Sequence, residues 1–313
     1  MNTQIDLTQL PVAQPFDWRM EFGLFLRNTP SQKRKMRSRL ALEAYERDMK
    51  LMAAWFEARY GVAFEPCQLN TQNVGEYFAQ FESAPATHKR KLASLRLFVR
   101  WALGAEALDH DPSEWVAYMD VVEETPRDLT DEERCQLEGA AEAGEGSLLG
   151  LRDSVLFYLM LEAGLRISEA TGLLLNDLHL DKHHIRVLGK GKKRRTVRVG
   201  SHLIGKIRLW LDRKPDSIEG TLITDEKGFA ICRQTAWERF VLLRDATGVD
   251  ATPHSLRHTF IKRSVAAYLK VYPGQFGSAI KYVAKQTGDS EMVILKYYSS
   301  PSDSEMRAAA EAM

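Results

Sequence analysis

Pro253-His254-Ser255-Leu256-Arg257-His258-Thr259-Phe260 is the stretch on which the reading of this chain turns. It runs into a helix predicted over 255–269 and carries a histidine and an arginine in HxxR spacing. Taken alone the run is only moderately specific. His254 reads equally as a helix N-cap or a core histidine, and Arg257 as a structural ion-pair arginine. Three further pieces lie in order around it. Ala163-Gly164-Leu165-Arg166-Ile167-Ser168-Glu169 ends an apolar helix begun at Ser154. Leu188-Gly189-Lys190-Gly191-Lys192 is a basic turn, and Thr287-Gly288-Asp289-Ser290 leads to Lys296-Tyr297-Tyr298. Singly, Arg166 is a surface or ion-paired arginine, Lys190 solvates a turn, Glu169 is a helix-surface acid and the tyrosines are packing aromatics. Read together, the four pieces set arginine, lysine, histidine with arginine, and tyrosine in one order along the second half of the chain.

The flanking sequence indicates what carries these pieces. His184 to Leu188 and Thr196 to Val199 alternate apolar with polar residues on either side of the glycine-containing turn, the pattern of a β-hairpin. The rest of the second half reads as helix, at 234–247, 255–269 and 279–286. The chain up to about Gly104 is helical as well. Tyr45, Met49, Met52, Phe56 and Tyr60 recur at helical spacing, with Gly61 as a C-cap. A second helix starts at Asn70 or Thr71 and contains Val74, Tyr77, Phe78 and Phe81. A third follows Pro85, with Leu92, Leu95, Phe98, Val99 and Ala102 on one face and Lys89, Arg96 and Arg100 on another. Between about 120 and 130 the pattern breaks into an extended linker. Thr130 then precedes Asp131, Glu132 and Glu133, a cap followed by acids that the helix dipole favours. The expected division is a tail over 1–16, a helical domain over 17–120, a linker over 121–129, a second domain over 130–300 and a tail over 301–313 with a short alanine-rich helix.

Composition narrows the class. With 313 residues, 44% hydrophobic and 27% charged, the chain can bury two cores without disulfides. Cys67, Cys135 and Cys232 lie far apart with no CxxC or Cys/His cluster, which implies reduced thiols, a cytoplasmic location and no metal site. No secretory signal is expected over Met1–Pro15, and the longest apolar run stops at Glu162, too short for a bilayer, so no membrane association is expected. Net charge is only +1, but it is unevenly spread. Lys33, Arg34, Lys35, Arg37 and Arg39 crowd one stretch, and Lys182, Arg186, Lys190, Lys192, Lys193, Arg194, Arg195 and Arg198 fall together without a carboxylate. Either run is as readily a solvated loop. Together they support a nucleic-acid partner.

In order and content the pieces resemble the tyrosine recombinase, or phage integrase, family, whose pattern is Arg, Lys on a hairpin, HxxR, His or Trp, then Tyr. The resemblance reaches into the N-terminal half, where Tyr45–Trp55 and Lys91–Trp101 look like the family's core-binding domain, and it covers the chain from about Asp17 onward. It implies a mainly α protein: a helical, SAM-like core-binding domain, then a mostly helical α/β catalytic domain with a small β-hairpin or sheet. It also implies double-stranded DNA with an inverted-repeat core site as partner, a homo-tetramer on paired sites, a Holliday junction, and no cofactor. In these terms Tyr298 is the nucleophile that forms a 3′-phosphotyrosine. Arg166 and Arg257 fork onto the non-bridging phosphate oxygens. Lys190 protonates the leaving 5′ oxygen, and His254 helps to move the proton of a phenol whose free pKa is about 10. Glu169 supports the site. The candidate DNA contacts are Lys33, Arg34, Lys35, Arg37, Lys89, Arg96, Arg100, Lys192, Lys193 and Arg194.

The chain departs from the family pattern twice. Asp289 stands where a His or Trp that donates to the scissile phosphate is expected, and the same register selects Tyr298 over Tyr297. An ionised aspartate cannot donate. Either it buttresses Arg257 or another site residue, or a donor such as Lys285 takes over. The interval from Arg257 to Gly288 is also long, with the extra residues around 269–278, where Tyr272-Pro273-Gly274 breaks the helix. Two rival readings follow: a DNA-binding protein of the same fold that has lost cleavage, and a type IB topoisomerase.

Overall fold

Asp17 accepts a hydrogen bond from the backbone N–H of Arg19 (2.9 Å) and so caps helix α1 (Trp18–Asn28). The structure is a computed structural model that describes residues 17–31, 36–81, 84–120, 127–189, 193–299 and 310–311. It divides into two compact units, Met1–Glu123 and Glu124–Met313. The first unit adds α2 (Arg39–Tyr60), α3 (Thr71–Ala79) and α4 (Pro85–Gly104). Ser38 caps α2 and Gly61 ends it at φ 72°. Asn70 and Asn73 bond each other's backbone N–H reciprocally at the start of α3. The expected helical spacing holds in all three, except that α3 stops at Ala79 and Phe81, expected inside it, lies in the turn that follows; α1 is an addition. Trp18 joins the helices: its Nε1 donates to the carbonyl of Phe64 (3.1 Å), and its ring meets the edges of Phe64 and Phe98. Phe22, Met49, Met52, Phe56, Val74 and Leu95 close this core. Each such side chain contributes roughly 1.5–3 kcal/mol on burial.

In the second unit α5 (Asp131–Ala143) begins with the expected cap, the side chains of Thr130 and Glu133 each accepting from the other's backbone N–H. Residues 127–129, counted above with the linker, are tied down here. Leu129 is buried and donates its N–H to Thr259 Oγ1 (2.8 Å), while Arg127 bonds Glu133 and the carbonyl of Asp250. Residues 121–126, the centre of the expected linker, lie outside the described residues. Helix α6 (Leu148–Leu161) is buried continuously from Val155 to Leu161, so it is the central helix of the unit.

The short helix α7 (Ile167–Thr171) leads to a three-stranded antiparallel sheet of order β1-β2-β3, made of β1 (Leu178–His179), β2 (His184–Leu188) and β3 (Arg194–Arg198). In the hairpin, Ile185 faces Val197 and Val187 faces Arg195. Strand β3 starts two residues before the predicted Thr196, because pairing continues to Leu188 with Arg194.

The chain continues through α8 (Ser201–Arg213), α9 (Arg233–Thr247), α10 (Pro253–Val271), α11 (Phe276–Thr287) and α12 (Glu291–Ser299). The break at Tyr272-Pro273-Gly274 separates α10 from α11 as expected. Phe260, Ile261, Val265, Ala279, Ile280, Val283 and Ile294 join α10, α11 and α12 in a cluster of their own. The tail helix expected at 305–313 lies outside the described residues except 310–311, which are helical. Among the described residues no helix is long and apolar enough to cross a membrane.

Candidate active site

The turn from α6 into α7 is shaped by Gly164. Its φ is +62°, and a Cβ there would lie 2.3 Å from Cδ1 of Phe260. Only glycine fits both the left-handed backbone and the close ring. This turn leaves Arg166 as the N-cap of α7, with its backbone N–H on Glu169 Oε2 (2.9 Å) and its Nη1 on Glu169 Oε1 (3.2 Å). Glu169 is buried, with 5% of its side chain exposed, so its charge depends on partners. Burial by itself raises the Glu169 carboxyl. Hydrogen bonds from Arg195 and the Arg166 N–H, with the charges of Arg195 and Arg257, outweigh it and hold the group below its ordinary value.

Arg257 reaches the same place from the first turns of α10, capped by Thr252 with Pro253 in the first turn. The cap is therefore Thr252 and not His254. Only 2% of the Arg257 side chain is exposed. Its Nη1 donates to the carbonyl of Gly164, and its Nη2 to the carbonyl of Thr287 (2.7 Å) and to Asp289 Oδ2 (2.6 Å). Asp289 Oδ1 takes Nη2 of Arg166. One carboxylate thus bridges the two arginines predicted to hold a phosphate. Burial raises the Asp289 carboxyl, but Arg257 and then Arg166 outweigh it, so the group stays ionised. Of the two accounts of Asp289, buttressing is the one the geometry fits. Lys285 is exposed in the last turn of α11.

His254 is exposed beside this pair at the start of α10. Partial desolvation, then the charges of Arg257 and Arg166, lower its pKa and favour the neutral imidazole. His258 follows one turn on, 5.6 Å from His254 between ring centroids, and the Tyr297 ring lies tilted against it with centroids 4.2 Å apart. Burial first, then His254, pushes His258 down to about 4. Tyr298 is half-buried at the end of α12, its ring 5.4 Å from Phe276 of α11. Lys190 and Lys192 lie outside the described residues. Gly189 and Lys193 close their loop by an N–H to carbonyl bond of 2.8 Å.

One site residue was missed in the sequence. Arg195 of β3 places Nη1 and Nη2 on the two oxygens of Glu169, each at 2.8 Å, and its Nε on the carbonyl of Gln286 (2.8 Å). Strand alternation is the signal that marks it. Arg195 shares its face of β3 with the buried Val197, so it points inward where Arg194 and Thr196 do not.

The candidate DNA contacts divide. Lys33, Arg34 and Lys35 lie outside the described residues. Lys89 and Arg100 are exposed along α4, and Lys193 is exposed on the hairpin. Arg37 places its guanidinium on the carbonyls of Leu26 and Thr29, which end α1. Arg96 donates to the carbonyl of Val116 (2.9 Å) and lies over the ring of Tyr118. Arg194 pairs with Asp177 (2.7 Å) while remaining more than half exposed.

The fold and the paired arginines define a class, and comparison with known proteins agrees with it. Residues 127–266 match the model of the phage integrase family. Tyrosine recombinase XerD of Bifidobacterium longum (strain NCC 2705) is 31% identical over 271 residues, covering 82% of this chain and 84% of that protein. The chain belongs to the tyrosine recombinase family. Among solved structures, a lambda integrase dimer bound to a COC′ core site shares the fold at TM-score 0.66 and 16% identity, over 91% of this chain and 95% of that one. The XerH site-specific recombinase bound to difH substrate, a pre-cleavage complex, does so at TM-score 0.64 and 17% identity, over 94% and 95%.

Proposed function

We propose that this recombinase cuts and rejoins double-stranded DNA at a core site with inverted repeats, with 17–120 as the core-binding domain and 130–300 as the catalytic domain. The Tyr298 hydroxyl attacks the scissile phosphorus and forms the new P–O bond of a 3′-phosphotyrosine. The P–O5′ bond breaks, its electron pair goes to O5′, and Lys190 supplies the proton there. Neutral His254 takes the tyrosine proton. Arg166 and Arg257 stabilise the charge that builds on the non-bridging oxygens. The phosphotyrosine conserves the bond energy, so a 5′ hydroxyl of the partner strand reseals without ATP, metal or cofactor. Repeated on paired sites by a homo-tetramer in the cytoplasm, the exchange passes through a Holliday junction.

The observation that carries this reading is the carboxylate of Asp289 held between Arg166 and Arg257. Two guanidiniums that share one oxyanion group are arranged to share another. The lambda integrase and XerH structures, each bound to its DNA, supply the partner class. The same carboxylate also favours a second reading, binding without cleavage, because it neutralises the arginines that the reaction needs.

The test uses a duplex selected for binding by the full-length protein from a randomised pool, nicked beside the cleavage point so that religation is lost. Wild type, Tyr298→Phe and Tyr297→Phe are compared for a protein–DNA band that survives SDS. The expected result is a band lost only in Tyr298→Phe. Tight binding with no band from any of the three would establish the second reading. Relaxation of supercoiled plasmid lacking the selected site would favour a type IB topoisomerase.

A further inference from the structure

We propose that Arg195 is a positioning residue of the strand-transfer site, one that ties the hairpin bearing Lys190 to Arg166 through Glu169. The inference rests on the function proposed above. Arg195 and Glu169 form a two-pronged pair with side chains 12% and 5% exposed, and Glu169 in turn holds Arg166. The pair lies against Gly189, the described residue that precedes Lys190 in the chain. A Cβ on Gly189 would meet Arg195 Nη1 at 3.2 Å and Glu169 Oε1 at 3.9 Å. On its other side Arg195 bonds the carbonyl of Gln286 at the end of α11, and a Cβ on Gly288 would meet its Cδ at 3.2 Å. Gly288 immediately precedes Asp289. One guanidinium therefore fixes three elements against one another: the hairpin, the Arg166 turn and the segment that carries Asp289. A lysine keeps the charge at this place but has no fork to hold two oxygens and a carbonyl together.

The consequence concerns the leaving group. Cleavage of the P–O5′ bond needs a proton delivered to O5′, so it is sensitive to where the Lys190 loop sits. If the bridging O5′ is replaced by sulfur, the electron pair leaves as a thiolate, which needs no proton because a thiol ionises near about 8.5. The experiment measures single-turnover formation of the covalent adduct on the selected nicked duplex, with bridging oxygen or bridging sulfur, for wild type and Arg195→Lys. The expected loss in Arg195→Lys is about 100-fold with oxygen, the size of a small misplacement of a reacting group. With sulfur it is at most about tenfold, so the sulfur-to-oxygen rate ratio rises. An unfolded fraction lowers both rates alike and leaves that ratio unchanged, which separates positioning from loss of structure. Should Arg195→Lys be too unstable to assay, Arg195→Gln combined with Glu169→Gln removes the unpaired buried charge, and the same rise is expected. A ratio equal to that of wild type in the assayable variant overturns the inference. Failure of wild type to form an adduct on either duplex overturns the proposed function, and the inference with it.

Discussion

Replacing Asp289 by asparagine keeps the shape of the side chain and removes its charge, and stability and DNA affinity should then move in opposite directions. In the folded chain the carboxylate is the partner of Arg257, whose side chain is 2% exposed. Breaking a buried pair by removing one partner costs about 3–5 kcal/mol. Arg257 keeps the carbonyls of Gly164 and Thr287 and a Glu169 oxygen at 3.9 Å, so the lower end, about 3 kcal/mol, applies. Arg166 is 37% exposed, and its share adds little. For a domain of this size such a loss lowers Tm by about 6–12 °C. Binding responds to the missing repulsion. A carboxylate about 4 Å from a phosphate opposes it by about 4 kcal/mol at an effective dielectric of 20. The two arginines offset most of that, and a residue of roughly a third corresponds to about tenfold in Kd. The assay is a thermal melt together with fluorescence anisotropy on the selected duplex, in a Tyr298→Phe background that prevents covalent capture. A variant that melts like the parent, or that binds DNA more weakly, would refute the account of Asp289 as an internal anion between the arginines.

Other consequences follow from single contacts. His258 binds its proton at about 4 in the folded chain against 6.5 when unfolded, so stability is full above pH 6.5 and falls as the pH drops toward 4. Thermal melts of His258→Phe should lose that slope, and an unchanged slope would show that another group causes it. Gly164→Ala places a Cβ 2.3 Å from the Phe260 ring at a positive φ and should cost about 3 kcal/mol or more, read as a lower denaturant midpoint; a midpoint equal to wild type would contradict the packing described. Lys89→Ala and Arg100→Ala, on the exposed face of α4, should each reduce the salt dependence of DNA binding by about one ion. Arg96→Ala, held inward by Val116 and Tyr118, should lower Tm and leave the salt slope alone; a shallower slope would place Arg96 on the DNA.

Local signals explain which parts of this fold were legible in the sequence. Helices α2, α3 and α4 combine apolar residues at helical spacing with Gly61, Asn70 and Pro85 at their ends, so period and punctuation agree. Helix α8 holds a weaker signal in Leu203, Ile207 and Trp210, and α1 in Trp18, Phe22 and Leu26, because neither closes on a C-cap glycine as α2 does or opens on a proline as α4 does. Strand β1 has two residues, too few for any alternation, and exists only because β2 offers it an edge. The site was legible as an order of motifs, not as geometry. The HxxR run fixes His254 and Arg257 on α10, but nothing in it says that Arg257 is enclosed by two carbonyls from distant turns. Arg195 was hidden for a related reason: in a basic run each cation looks like its neighbours, and only strand parity separates the one that turns inward.

Charge connects these details. The described part of the site holds Arg166, Arg195 and Arg257 against Glu169 and Asp289, which leaves one positive charge over. Glu169 and Arg195 are a structural pair, so the balance available to a phosphate is set by Arg166, Arg257 and Asp289. A histidine or tryptophan at position 289 would leave the two arginines with only the Glu169 carboxylate that they share with Arg195, and would add a donor. Aspartate gives up that donor and half of the positive charge, and in exchange the buried Arg257 is held in place before any DNA arrives. A phosphate entering the site must therefore compete with a carboxylate already seated there. In the proposed mechanism its advantage lies in the further charge that develops on its oxygens during attack, which Asp289 cannot match, and in the proton assigned there to Lys190. Under that mechanism the arrangement should weaken the ground-state hold on phosphate more than the hold on the transition state, the direction in which differential binding favours catalysis.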